Sequence, residues 1–141
     1  MKVFVSHAPP DEDLARRVAH ALRGAGIEAW DQSLILPGDN WGAEIGHALQ
    51  EADTMLVLLA TPVTDLQWVE RDVSYALSQV RYKGRVVPVL ASRPYVLLRK
   101  SLPWVLHRFP AVELPHLADD ERELDQLVEL LRHRREPSLS R

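Results

Sequence analysis

A chain of 141 residues with 46% hydrophobic and 26% charged residues has the balance of one globular domain and is too short for two of ordinary size. It holds no cysteine, which excludes a disulfide framework, a thiolate metal site and a cysteine nucleophile. The net charge of −3 argues against nucleic acid as a partner, and no apolar run nears the roughly 20 residues of a membrane span. Met1-Lys2-Val3-Phe4-Val5 is too short an apolar stretch for a secretory signal, so a cytoplasmic protein with no membrane partner is expected.

Lys2–Ser6 is an apolar, β-branched run ended by Ala8-Pro9-Pro10 and predicts a buried strand. Asp11-Glu12-Asp13 then opens a helix whose inner stripe is Leu14, Val18, Ala21, Leu22 and Ala25, stopped by Gly24-Ala25-Gly26. Ile27–Trp30 reads as a second strand and Asp31–Asn40 as a polar loop. Trp41, Ile45, Ala48, Leu49 and Ala52 have helical spacing, with Asn40 or Asp39 placed to cap. Thr54–Ala60 is apolar throughout, as a strand covered on both faces must be. Trp68, Val69, Asp72, Val73, Ala76, Leu77 and Val80 predict a third helix, ended by Gly84. Arg85–Ala91 is a fourth strand in which Pro88 implies a bulge or an edge position. Two prolines break residues 92–108, where Tyr95–Leu98 and Trp104–Leu106 read as packed turns. Ala111–Leu114 forms a fifth strand, and a last helix over 119–134 turns Leu124, Leu127, Val128 and Leu131 inward. The Arg132-His133-Arg134-Arg135 cluster complements that helix's dipole.

Strands alternating with helices imply right-handed crossovers, hence a parallel sheet covered on both faces. Five such units predict an α/β, flavodoxin-like, three-layer domain over residues 1–135 with strand order 2-1-3-4-5, followed by a tail at 136–141. Ligands in such a fold sit beyond the carboxyl ends of the strands, which directs attention to Ser6–Asp11, Asp31–Asn40 and Thr61–Trp68.

Several chemistries are absent. There is no phosphate-binding G-x-x-x-x-G-K-[ST] loop and no G-x-S-x-G nucleophile turn. Gly24-Ala25-Gly26 follows a helix, the reverse of a dinucleotide fingerprint, and the six histidines have no metal-ligand pairing. What remains is Trp68 and Asp72, four apart and therefore on one helix face. An aromatic plane beside a carboxylate can stack a base or nicotinamide ring while the acid holds a ribose hydroxyl. The same spacing equally suits a core aromatic at a helix start and an ordinary first-turn acid.

Taken in order, Val3-Phe4-Val5-Ser6 with Asp11, Leu14-Ala15 to Leu22, Gly26-Ile27 and Trp30-Asp31 open a recognisable series. Leu36-Pro37-Gly38-Asp39-Asn40-Trp41, Ile45 to Ala48-Leu49, Ala52-Asp53 and Val57-Leu58-Leu59 continue it. Trp68-Val69 to Asp72, Tyr75-Ala76-Leu77 and Val86-Val87-Pro88-Val89-Leu90 complete it. The set resembles the TIR (Toll/interleukin receptor) family in its bacterial form.

The resemblance implies one of two roles. NAD⁺-cleaving members carry a glutamate four residues after the tryptophan of a Trp-Val motif. Here that slot is Asp72, with Ala76 as the expected small residue. On this reading the chain is an NAD⁺ nucleosidase (NAD⁺ glycohydrolase or ADP-ribosyl cyclase type) of bacterial defence or signalling, with NAD⁺ as substrate and no resident cofactor or metal. Asp72 is then catalytic, and Trp68, Ser6, His7, Pro37, Gly38 and Trp41 bind substrate. His7 is not required as an acid, because nicotinamide leaves as a neutral base. The alternative is a non-catalytic adaptor or scaffold that signals by TIR–TIR assembly, with Leu36, Pro37, Gly38, Asp39 and Asn40 at the interface. A third possibility, a nucleoside deoxyribosyltransferase-like enzyme, shares the sheet topology. Residues 1–72 hold 12 acids and 5 bases, whereas residues 73–112 hold 7 bases and no acid. That segregation suits head-to-tail pairing of copies, although a patchy solvated surface has the same pattern.

Overall fold

A computed structural model describes residues 1–61, 67–82, 85–93, 98, 100, 106–107 and 109–135, with backbone alone at 67–70 and 134–135. The chain runs β1 (Lys2–His7), α1 (Glu12–Gly24), β2 (Glu28–Trp30), α2 (Trp41–Glu51), β3 (Thr54–Leu59), α3 (Gln67–Leu77), β4 (Val86–Leu90), β5 (Val112–Glu113) and α4 (Glu121–Arg135). All pairings are parallel and the order is β2-β1-β3-β4-β5, as the alternation of elements predicts.

Successive side chains of a strand point to opposite faces, and this divides the core in two. Val3, Val5, Leu56, Leu58, Val87 and Val89 face α1 and α4, meeting Leu14, Val18, Leu22, Leu124, Leu127 and Leu131. Phe4, Met55, Val57, Leu59, Val86 and Leu90 face the other way, against Ala48, Leu49, Val73, Ala76 and Tyr82. Both faces of β3 are buried, which is why its sequence is apolar without alternation. The four inward positions expected of the last helix are all buried.

Three local expectations change. The third helix ends at Leu77, not near Gly84, which lies outside the described residues with Lys83. There the Ser78 hydroxyl donates to the Tyr75 carbonyl at 2.7 Å, and a 3-10 turn follows at Val80–Tyr82. Val80, expected inside, is 88% exposed, and Tyr82 is buried instead, donating from its hydroxyl to the Leu49 carbonyl at 2.8 Å. Pro88 lies in an interior strand, in register with Val57. The Arg85 carbonyl and the Ala91 N–H both bond to β3, so alternation turns the nitrogen of Pro88 toward β5. β5 pairs only with Val89 and Leu90, so the missing N–H breaks no bond of the ladder.

Asp11 has no side-chain capping bond. It is buried and accepts from the Ala60 N–H at 3.1 Å, tying the turn after β1 to the end of β3. The cap of α2 is Asn40, whose Oδ1 accepts from the Ala43 N–H at 3.1 Å. Asn40→Ala should therefore lower stability by about 1 kcal/mol, measured by urea unfolding. The packed turns expected around 95–106 lie largely outside the described residues, though Leu98 and Leu106 are buried. The tail at 136–141 lies outside them entirely.

Candidate functional site

Ser6 is two residues after Phe4 on β1, so alternation sends its side chain to the α2–α3 side of the sheet. On α3, Val73 and Ala76 pack onto the same side, and Asp72, one turn before Ala76, faces inward with them. The two polar groups meet there. The Ser6 hydroxyl donates to Asp72 Oδ2 at 2.9 Å, with Ser6 0% and Asp72 6% exposed. This bond joins residues far apart in sequence and ties α3 to the carboxyl end of β1, the side of the sheet where ligands of this topology bind.

The carboxyl group is under electrostatic strain. Burial pushes Asp72 from the ordinary 3.8 up to about 6, opposed by the Ser6 hydrogen bond and by the charges of Arg71 and His7. Arg71 Nε lies 3.9 Å from Oδ1 on a largely exposed side chain, so its pull is screened by water. Oδ1 is buried and accepts no hydrogen bond from the described residues. A buried acceptor in that condition favours a ligand that brings a donor.

His7 follows on β1 and is buried, with Nδ1 2.8 Å from the Ala8 carbonyl. A carbonyl only accepts, so Nδ1 carries the proton. Strand alternation points His7 toward the α1 side, away from the face that carries Ser6. Ser6, His7 and Asp72 thus gather at one end of β1. The side chain of Trp68 lies outside the described residues, as do 62–66 of the loop before it and the side chain of Glu70.

Pro37 and Gly38 stand on the loop between β2 and α2 and Trp41 is the first residue of α2; all three are exposed. That loop is closed by its own bonds. Asp31 is buried, accepts from the Ser33 N–H at 3.2 Å and the Ser33 hydroxyl at 2.8 Å, and lies 3.6 Å from Arg23. Asp39 accepts from the Leu36 N–H at 2.9 Å across a turn in which Gly38 has φ 91°, a conformation side-chain-bearing residues rarely adopt. On sequence, Asp31 belongs to a polar loop and to the ordered motif series, with no turn assigned to it. An Asp two residues before a Ser is the local signature of such a turn.

Two cavities lined by described residues lie elsewhere. One of about 170 Å³ opens at the amino ends of β1 and β2, between Lys2, Glu28, Trp30 and Glu51. Another of about 700 Å³ lies between α1 and α4. Among the described residues no three His, Asp or Glu side chains converge as metal ligands, and no helix is long and apolar enough to cross a membrane.

The ordered motifs and the strand order agree with one family, and the family model described as "TIR domain" matches residues 3–128. The chain belongs to the TIR-domain family. It is 32% identical over 91 residues to the NAD(+) hydrolase PdTIR of Paracoccus denitrificans (strain Pd 1222), covering 62% of this chain and 30% of that protein. It is 32% identical over 73 residues to the 2' cyclic ADP-D-ribose synthase BtTIR of Bacteroides thetaiotaomicron, covering 50% of this chain and 25% of that one. The matches therefore span less than a third of either relative's length.

Solved structures share the fold of this TIR domain. A metazoan TIR-STING receptor from C. gigas, in complex with 2',3'-cGAMP, has a TM-score of 0.69 at 21% identity over 90% of this chain and 38% of that one. The TIR domain of the Toll-related receptor TRR-2 of Hydra magnipapillata has a TM-score of 0.65 at 17% identity, covering 95% of this chain and 98% of its own. The RPS4 and RRS1 TIR domain heterodimer has a TM-score of 0.60 at 19% identity, covering 94% and 96%. At these identities the likeness is one of fold.

Proposed function

We propose that this TIR domain, taken as residues 1–135, works by associating with other TIR domains through the segment Leu34–Trp41. One observation carries the reading. Leu34, Leu36 and Trp41 are 46%, 65% and 54% exposed, and among the described residues Val80 is the one other large hydrophobic so exposed. Apolar side chains concentrated on one short segment mark a contact surface, where scattered ones do not. Asp31, Asp39 and the Gly38 turn hold the loop in shape beforehand, which lowers the ordering cost of binding.

Charge supports the same reading. The acidic first half and the basic 73–112 stretch belong to one molecule, and β2 and β5 are opposite edges of its sheet. A contact between unlike surfaces of successive copies is heterologous and extends into open chains. Light scattering against protein concentration tests this. The native chain should grow in mass, Leu36→Ser and Trp41→Ala should each weaken association about tenfold or more, and raising salt from about 0.05 to about 0.5 M should dissociate it. A monomer under every condition would refute the reading.

The second reading is cleavage of NAD⁺ at the nicotinamide–ribose bond, with Asp72 holding the ribose. Resemblance alone puts it first, and the exposed apolar residues of Leu34–Trp41 put association ahead of it. What supports it is a buried carboxylate at the carboxyl end of the sheet, one oxygen of which has no hydrogen bond among the described residues, together with the activities for which PdTIR and BtTIR are named. Release of nicotinamide by the purified chain is the test.

A further inference from the structure

We propose that Ser6 is the positioning residue of Asp72: its hydroxyl fixes Oδ2 against β1 and leaves Oδ1 as the one carboxylate oxygen without a hydrogen bond among the described residues. This replaces the role that resemblance gave Ser6, direct contact with substrate. For its ligand the inference rests on the NAD⁺ reading. For the state of Asp72 it stands alone.

The geometry carries the argument. The Ser6 proton is committed to Asp72 at 2.9 Å, so Ser6 acts through that carboxylate. β1 is paired on both sides, by β2 and by β3, and is therefore among the stiffest parts of the molecule. A carboxylate on α3 that is bonded to such a strand is held in one rotamer. The bond also divides the work of the two oxygens, one facing the strand and one left without a hydrogen bond among the described residues. A donor brought by a ligand, such as a sugar hydroxyl, completes the set.

The other groups facing Asp72 do not substitute for Ser6. Arg71 of α3 is exposed and 3.9 Å away, His7 of β1 acts through space, and the Tyr82 hydroxyl of the following 3-10 turn is committed to the Leu49 carbonyl. Of these neighbours only Ser6 both donates to the carboxylate and belongs to the central sheet. Its removal should therefore release the carboxylate and weaken the charged form together.

The test is the titration of the Asp72 side-chain carbonyl by ¹³C NMR in the whole chain, assigned by its loss in Asp72→Asn. In Ser6→Ala the proton affinity of Asp72 should rise about tenfold, whereas Ser6→Thr, which keeps the hydroxyl, should titrate as the native chain does. If Ser6→Ala does not fold, Ser6→Cys is read the same way, because a thiol is a weak donor. A folded Ser6→Ala or Ser6→Cys chain whose Asp72 titrates as in the native protein overturns the proposal. In the cleavage assay Ser6→Ala should lower kcat with little change in KM, and its acidic limb should move to higher pH. A native chain that releases no nicotinamide counts against the NAD⁺ reading, and the titration still decides the role of Ser6.

Discussion

Replacing Asp72 with asparagine should change how folding stability depends on pH, with the variant gaining about 3 kcal/mol on the native chain between about pH 4 and about pH 8. The figure is the free energy of the rise from 3.8 to about 6. The folded protein holds the Asp72 proton more tightly than the unfolded chain does. The resulting stabilisation is complete below about pH 4 and is lost as pH rises through 6, where the carboxylate must ionise while buried. Asparagine does not titrate. Its Oδ1 still accepts from Ser6, and the cost of burying its amide is the same at every pH, so that cost drops out of the pH-dependent difference. Every other acid titrates in both chains and cancels as well. Urea unfolding of the two proteins across this range measures the difference, and a gap constant with pH would show Asp72 to be an ordinary surface-like acid. A side chain that weakens the fold at neutral pH, at the end of the sheet where this topology generally binds ligands, has the energetics common among carboxylates of functional sites.

Much of the fold was legible because its signals are periodic. Thr54–Leu59 has no alternation and so required cover on both sides, and the stripes of α1 and α4 announced one layer of helices. The errors fell where local pattern and tertiary packing disagree. Val80 continues the helical spacing of α3, but Tyr82 packs better two residues later: its ring lies edge-on to Tyr75 at 6.4 Å and beneath Arg81 at 5.2 Å. Arg81 in turn donates to the Leu49 and Ala52 carbonyls at the end of α2, a long-range cap that no local pattern reveals.

The site was legible to a lesser degree. Spacing placed Asp72 on one face with Trp68 but could not say that the face turns inward. That follows only once Val73 and Ala76 find their strand partners. The bond from Ser6 depends on the crossing of α3 over β1, which is a property of the topology. The loop after β2 is the converse case. Leu34 and Leu36 on it, and Trp41 at the start of α2, are plain in the sequence, but only the fold leaves them facing solvent.

If the NAD⁺ reading holds, nicotinamide release should fall by about 10²-fold or more in Asp72→Ala and rise with pH up to a plateau above about 6. Breaking the bond builds positive charge on the ribose as neutral nicotinamide departs, so a carboxylate on the ribose hydroxyls binds the transition state more strongly than the substrate. Only the ionised form does this. Below its pKa the rate should therefore drop about tenfold per pH unit, the opposite sign to the stability of the fold. Aspartate also stops one methylene short of the glutamate expected in this slot, and a displacement of about 1 Å can cost around 10²-fold. Asp72→Glu should accordingly raise release toward 10²-fold. Equal release by the native chain and Asp72→Ala would place the chemistry elsewhere. Silence from all three at high protein concentration would sink the NAD⁺ reading and leave association through Leu34–Trp41 as the work of the domain.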